Sequence, residues 1–553
     1  MNRLIQAAAR HPWLFLLVLA LITALLAVHL PKLRVSISAS GMLEKDTPAY
    51  EFFEQAQAVF GSDSITVLLF HDPALFTPKK LEAVRDAIYA IDNLPFVAGT
   101  RSLFSTRNVK NDDGVISTRL YLREIPESKE ELAQVRADAL SNTLLTRNLI
   151  SEDGTTLGVN VIVQRDPDDP EFDHKVVQGI EGVIAPLRGE LDTVFQIGSS
   201  GVRTALTARV LKDQRLLLPL SLVVLLLTLA VSLRRLSAAV LPLFTAGLSV
   251  VWTLGFMAWL GIPVNIMTSI VPALIIVIGS TEDIHLLSEY LLGIREGKSR
   301  RTAIDLMADN MGLTVLLTFV TTYLGFFSVA LNDIELLYQF GLVSSTGLLF
   351  NFAITVVLVP IMLRVIGARP RSDRKAEVVK LSTYQRLALA ILDMVKRHKW
   401  VSLGVVFFVT FIALAHTLQL SVNNHPRDFL EPESSIHAQA EQVHRDLSGI
   451  HTFSIVVDGG IDVTFLQVKY LKELQKIQQY LDSMGIFDRS LSFADFIAFV
   501  NRVMDGEPGD EPMLPEIDDI VREYMLFIKH DDVSQYVSPE FDQARILIRH
   551  NIG

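Results

Sequence analysis

The apolar residues of this chain fall in blocks, separated by two long polar stretches. A helix needs roughly 20 mostly apolar residues to cross a hydrocarbon core of about 30 Å, since each residue adds about 1.5 Å. Seven segments meet that length: about 13–30, 216–233, 238–260, 264–292, 311–331, 340–364 and 400–418. The long polar stretch 31–213 separates the first from the second, and another follows the seventh.

The polar stretches carry shorter periods. In the first, a strand-like run at 64–70 precedes a helical pattern over 79–91 and a strand near 96–103. A second strand-like run at 156–164 precedes a helix over 174–188 and a strand over 193–197. Two such βαβ units predict two small subdomains of the split βαβ, ferredoxin-like kind. Between them, 110–150 holds an acidic turn at Asn111-Asp112-Asp113-Gly114 and a helical stretch over 128–139. Gly198-Ser199-Ser200-Gly201 punctuates the return toward the second span.

The chain also matches itself. Setting each position n on position n + 387 puts His11-Pro12-Trp13 on His398-Lys399-Trp400, and Leu33-Arg34-Val35 on Leu420-Ser421-Val422. Met42-Leu43-Glu44 falls on Phe429-Leu430-Glu431, the apolar run 65–70 on 452–457, and 544–548 on 157–161. The first span resembles a signal peptide, with Arg3 and Arg10 before an apolar core, but its recurrence as span seven argues against cleavage. Residue 553 corresponds to residue 166, so the second copy is expected to be incomplete; a full one would need about five further spans. The expected organisation is a cytoplasmic N-terminus (1–12), span one (13–30) and a periplasmic domain (31–213). A five-span bundle (214–366), a cytoplasmic linker (367–399), span seven (400–418) and an incomplete second periplasmic domain (419–553) follow.

Charge sets the orientation. Arg234 and Arg235 join spans two and three, and Arg295, Lys298, Arg300 and Arg301 join four and five. Arg364, Arg369, Arg371, Arg374 and Lys375 follow span six, and Lys396, Arg397 and Lys399 precede span seven. The connections on the other side are uncharged (Gly261-Ile262-Pro263) or acidic (Asn332-Asp333-Ile334-Glu335). The positive-inside rule then puts the N-terminus in the cytoplasm and both polar stretches outside. In the linker, Leu387, Ile391, Leu392 and Val395 lie at helical spacing before basic residues, as in a helix lying on the membrane surface or an ordinary connector.

Composition narrows the class. The 553 residues are 50% hydrophobic and 20% charged with a mean hydropathy of +0.35, which excludes disordered and fibrous chains. A net charge of −11 argues against nucleic acid as a partner. With no cysteine there is no disulfide framework, thiolate metal site or cysteine nucleophile. No zinc-type cluster, phosphate-cradling loop or nucleophile elbow is evident, so neither a metal nor a cofactor is expected, nor an enzyme. His425, His437, His444 and His451 read as solvated surface residues rather than a loose metal site.

Span four carries residues that hydrocarbon should exclude: Glu282, Asp283 and His285, with Glu289 nearer the cytoplasmic end. An acid at mid-helix costs about 2.5–3.5 kcal/mol on insertion scales, so partners, water or both are implied. At about 100° per residue, Glu282, His285 and Glu289 share a stripe and Asp283 lies a quarter-turn away. A carboxylate at that depth can load and release a proton near neutral pH, as can a histidine. Glu282 and Asp283 are therefore candidate proton carriers, with His285 as their partner. The bland alternative is an ion pair that only ties helices together. Spans five and six add Thr314, Thr318, Thr321, Thr322 and Tyr323, then Ser344, Ser345, Thr346, Asn351 and Thr355. Hydroxyl residues of this kind usually pack helices; Thr322 and Asn351, with Glu289, are the further relay candidates.

One span, a large external domain, five more spans and then a repeat: this layout resembles the resistance-nodulation-division (RND) superfamily of proton-driven exporters. Glu282-Asp283 resembles the adjacent acids of its efflux pumps, and equally the acids of the sterol-sensing, Patched-like branch. In lipid- and hopanoid-exporter relatives a lone Asp stands four residues before a histidine; here that register holds Thr281. An external domain no longer than 31–213 resembles those of the lipid and hydrophobe exporters (the MMPL-like members) more than the larger ones of the multidrug pumps. The resemblance implies a polytopic α-helical protein of the bacterial inner membrane with α+β periplasmic domains. It implies proton-driven export of a hydrophobic or lipid-like substrate, with membrane lipids around it. A homo-oligomer or a periplasmic partner protein is left open. The rival readings are a non-transporting, sterol-sensing-like receptor and a secretion-associated assembly factor.

Overall fold

A backbone in hydrocarbon has no water to bond, so each apolar block must satisfy its own N–H and C=O groups as a helix. The computed structural model describes residues 2–36, 47–61, 65–112, 115–164, 166, 169, 171–233, 236–367, 383–420, 435–449, 451–505 and 512–550. Seven helices among them are long and apolar enough to cross a membrane: Pro12–Lys32, Ser199–Val231, Val240–Leu260, Thr268–Arg295, Arg300–Val329, Glu335–Ile366 and Lys399–Thr417. They are spans one to seven below. Arg234, Arg235, Arg369, Arg371, Arg374, Lys375, His425 and the matched triplets at 42–44 and 429–431 lie outside the described residues.

Spans three, four and six form the middle of the bundle, with 50%, 56% and 44% of their apolar windows buried. Span seven buries nothing. A short helix, Asn2–Arg10, precedes span one and buries Ile5 and Ala8 against the bundle. The linker residues Thr383–Arg397 form a helix with exposed apolar positions, including Leu387 and Ile391.

The first polar stretch contains strands β1 (Ile65–His71), β2 (Val97–Arg101), β3 (Arg107–Asp112), β4 (Val115–Leu120), β5 (Thr156–Val163) and β6 (Thr193–Gly198). The two βαβ units do not make two subdomains. They interlock into one antiparallel sheet in the order β2-β5-β1-β6. A lone βαβ unit leaves both strands with unpaired edges; interleaving gives β1 and β5 a neighbour on each side. Helices Pro78–Asp92 and Phe172–Ile184 cover one face, burying Leu68 and Phe70. The antiparallel pair β3–β4 is a further element, with Asp112 opposite Val115. Phe70 is fully buried, and Phe70→Ala is expected to cost about 3–5 kcal/mol. Faster amide exchange along β1 and β5 in the full chain is the measurement that checks it.

The run Thr66–Phe70 does not alternate because β1 is buried on both faces, the pattern of a strand sandwiched between two layers. Val67 and Leu69, with Phe195 and Ile197, pack against Ala440, Val443 and Leu447 from the second polar stretch. Helix Ser435–Asp446 supplies that cover. The second stretch adds β7 (His451–Asp458), β8 (Arg489–Leu491) and β9 (Gln543–His550) in the order β7-β9-β8, all antiparallel. In register, Ile65 pairs with Ile162 and Thr452 with Arg549; both members of the second pair are the n + 387 counterparts of the first.

Strand β6 runs straight into helix Ser199–Leu233, which carries span two, so sheet and bundle are joined with no loop between them. The apolar pattern places only 216–233 in this element, since its first half is polar, whereas the helix begins at Ser199. A side chain at Gly198 would strike the backbone of β1 at Ile65 and Thr66. Arg203 clamps the junction by donating to both Asp173 oxygens, at 2.8 and 2.6 Å.

Candidate functional site

Glu282 is the twelfth residue of the 25-residue helix Val271–Arg295, about 16 Å from its start and so near mid-span. Glu282 and Asp283 are 5% and 1% exposed, both inside the bundle. Adjacent helical positions point about 100° apart, so the two acids reach different neighbours. Asp283 accepts hydrogen bonds from Thr245 of span three (2.5 Å) and Thr355 of span six (2.9 Å), one on each carboxylate oxygen. Glu282 accepts a longer bond from the Asn351 amide of span six, at 3.4 Å. The Asn351 carbonyl in turn accepts from Ser249 of span three, at 3.1 Å.

Two polar stripes build this network. Thr245, Ser249 and Thr253 recur every fourth residue on span three and are fully buried. Asn351 and Thr355 do the same on span six, 1% and 0% exposed. Residues four apart share a helix face, so both stripes aim at the acids. Thr245, Ser249 and Thr253 escaped the sequence reading, although their spacing in an apolar block is visible there. Gly279 makes room for the network, because a Cβ at that position would collide with the Asn351 side chain.

The hydroxyl of Thr245 has two acceptors for one proton, Asp283 and the Pro242 carbonyl at 2.9 Å. With Asp283 ionised, the hydroxyl serves the carboxylate. With Asp283 protonated, the acid can donate to the Thr245 oxygen, and the threonine's own hydroxyl hydrogen is then free to bond the Pro242 carbonyl. Protonation of Asp283 would thereby change a hydrogen bond inside span three.

The other expected residues are placed differently. His285 is exposed and makes no hydrogen bond or ion pair with either acid, so it is not brought to them as the expected partner. Two positions beyond Asp283 it has turned about 200°, onto an exposed stripe with Val277, Thr281, Ser288 and Leu292. Glu289 accepts from Asn310 of span five at 2.6 Å, a helix-to-helix contact away from the acids. Thr322 donates to the Thr318 carbonyl of its own helix at 2.8 Å. Asn351 alone of the further candidates joins the acids. Of the scattered histidines, His444 lies 3.1 Å from Asp488, and among the described residues no group of three or more His, Asp or Glu side chains could hold a metal ion.

A membrane protein of Methanocaldococcus jannaschii is 22% identical over 379 residues, covering 66% of this chain and 93% of its own length. Residues 44–400, which contain the first sheet, spans two to six and the buried acids, match the MMPL family. This chain belongs to the MMPL family and is a membrane transporter of the RND type.

Proposed function

We propose that this chain exports a hydrophobic or lipid-like molecule from or across the bacterial inner membrane, driven by proton entry. Glu282 and Asp283 carry the proton, and Thr245, Thr355 and Asn351 hold them. The observation that carries the reading is the pair of adjacent carboxylates buried at mid-span, each bonded to neighbouring spans by neutral groups. No basic side chain is bonded to either acid among the described residues, so their charge is not locked in an ion pair. That favours a group that exchanges protons over one that ties helices together. His285 lies on the exposed side of span four, turned about 200° from Asp283 and about 60° from Glu282.

The route from proton to cargo follows the chain. Asp283 bonds to spans three and six, span three packs on span two, and span two continues into β6. A shift of span two carries the sheet with it through Gly198 and the Arg203–Asp173 clamp. The basic loops favour an N-terminus in the cytoplasm and both polar domains in the periplasm. The common n + 387 relation in strand register supports two related halves, each with a sheet domain.

The test is a reconstituted one. In proteoliposomes holding the full chain and a trace of fluorescently labelled phospholipid or fatty acid, an imposed pH gradient is expected to drive labelled molecules across or out of the bilayer. A proton uncoupler should abolish the movement. Equal movement with and without the gradient would overturn the reading.

A further inference from the structure

The second polar domain holds a group of arginines that the transport reading leaves without a role. In β9, Ala544, Ile546 and Ile548 point into the domain core. Strand alternation then puts Arg545, Leu547 and Arg549 together on the other face. That face fronts the first domain across a cavity of about 500 Å³ lined by both. Arg545 and Arg549 are 5% and 4% exposed, a depth that charged side chains rarely reach.

Around Arg549 the charges do not cancel. Arg489 of β8 is its register partner, so two cations sit directly opposite each other, an arrangement that destabilises a sheet. Arg549 donates from Nη1 to Ser448 at 3.5 Å, and its buried Nε has no hydrogen-bond partner among the described residues. Burial, and then Arg489 beside it, pushes Arg549 down to about 10. Arg545 donates to the Phe60 carbonyl across the interface at 3.2 Å. The cavity wall carries Arg101, Arg107, Arg545 and Arg549 against Asp531 and Asp532. Asp532 is 3.4 Å from Arg107. The nearby half-buried acid Asp495 is bound by Gln478 and the Ser492 amide, each at 2.7 Å.

We propose that Arg549, with Arg545 and Arg101, binds an oxyanion of phosphate or carboxylate type in this cavity, as the headgroup of an amphiphile. Arginine presents a fork of N–H donors that matches such an oxyanion. The apolar residues on the same wall, Val59, Leu144, Phe496, Phe499 and Phe527, fit an attached hydrocarbon better than a free ion. The site names the class of cargo and rests on the export reading for that role alone.

Binding can be measured without transport. Isothermal titration of the purified full chain in dodecyl maltoside would use dodecyl phosphate, zwitterionic dodecylphosphocholine and inorganic phosphate as probes. Dodecyl phosphate is expected to bind at least about tenfold more tightly than dodecylphosphocholine, and Arg549→Gln to lose about tenfold, the usual weight of one charge-assisted hydrogen bond. Arg549→Lys, which keeps the charge without the fork, should fall between. Inorganic phosphate binding as tightly as dodecyl phosphate would keep the oxyanion site and overturn the amphiphile. Equal affinity for the phosphate and phosphocholine probes overturns the site, as does wild-type binding by Arg549→Gln. If Arg549→Gln does not fold, the wild-type preference decides alone. A chain that binds dodecyl phosphate yet shows no gradient-driven transport would sink the export reading and leave the site standing.

Discussion

Asp283→Asn is expected to abolish gradient-driven transport, by about 100-fold or more, while the bundle stays folded. Asparagine matches the carboxylate in size and can accept from one of the two threonines while its amide N–H donates to the other, but it cannot take up a proton. Removing one of two adjacent buried acids whose hydrogen-bond partners are neutral is expected to leave stability unchanged or to raise it. Thermal unfolding in detergent and transport in proteoliposomes separate the two effects. Glu282→Gln added to Asp283→Asn should give no further loss if the two acids serve one relay. A double variant with wild-type proton-coupled transport would end the proposal. Thr245→Val has the opposite profile. It leaves one carboxylate oxygen without its donor, at a cost of about 1–3 kcal/mol, and impairs transport less than Asp283→Asn.

The second large effect is expected at Gly279. A side chain there meets Asn351, so Gly279→Val must displace Asn351 or push span six away from span four. Overpacking of this kind typically costs about 1–3 kcal/mol. The unfolding temperature should fall, and transport should be lost with it because Asn351 leaves Glu282. Asn351→Ala added to Gly279→Val discriminates between the causes. It vacates the space, so stability should recover, while transport should stay low because the amide is gone. Recovery of both would show that Asn351 is only a spacer.

Much of the frame was legible in the residues. Span lengths follow from the thickness of hydrocarbon, and strand and helix periods in the polar stretches follow from which face is buried. The strands predicted at 64–70, 156–164 and 193–197 fall within one residue of β1, β5 and β6. The buried acids were visible too, because a charge inside an apolar block is a physical anomaly whatever its neighbours.

What the residues could not express was which faces meet. The pattern around β1 marks a strand buried on both sides, yet nothing local says that its second cover comes from helix Ser435–Asp446, far along the chain. Two βαβ units read as two bodies, because strand order is a choice among pairings that local periodicity does not rank. At the acids, helical geometry put His285 within a turn of Glu282, but only packing decided that its stripe faces outward while Thr245, Thr355 and Asn351 turn inward. Likewise Arg545 and Arg549 read as ordinary polar positions of a strand. The sequence by itself determined which segments enter the membrane and where ionisable groups lie within them. The tertiary structure decided the partners of those groups, because partnership depends on distances between elements, which the periodicity of one element does not contain.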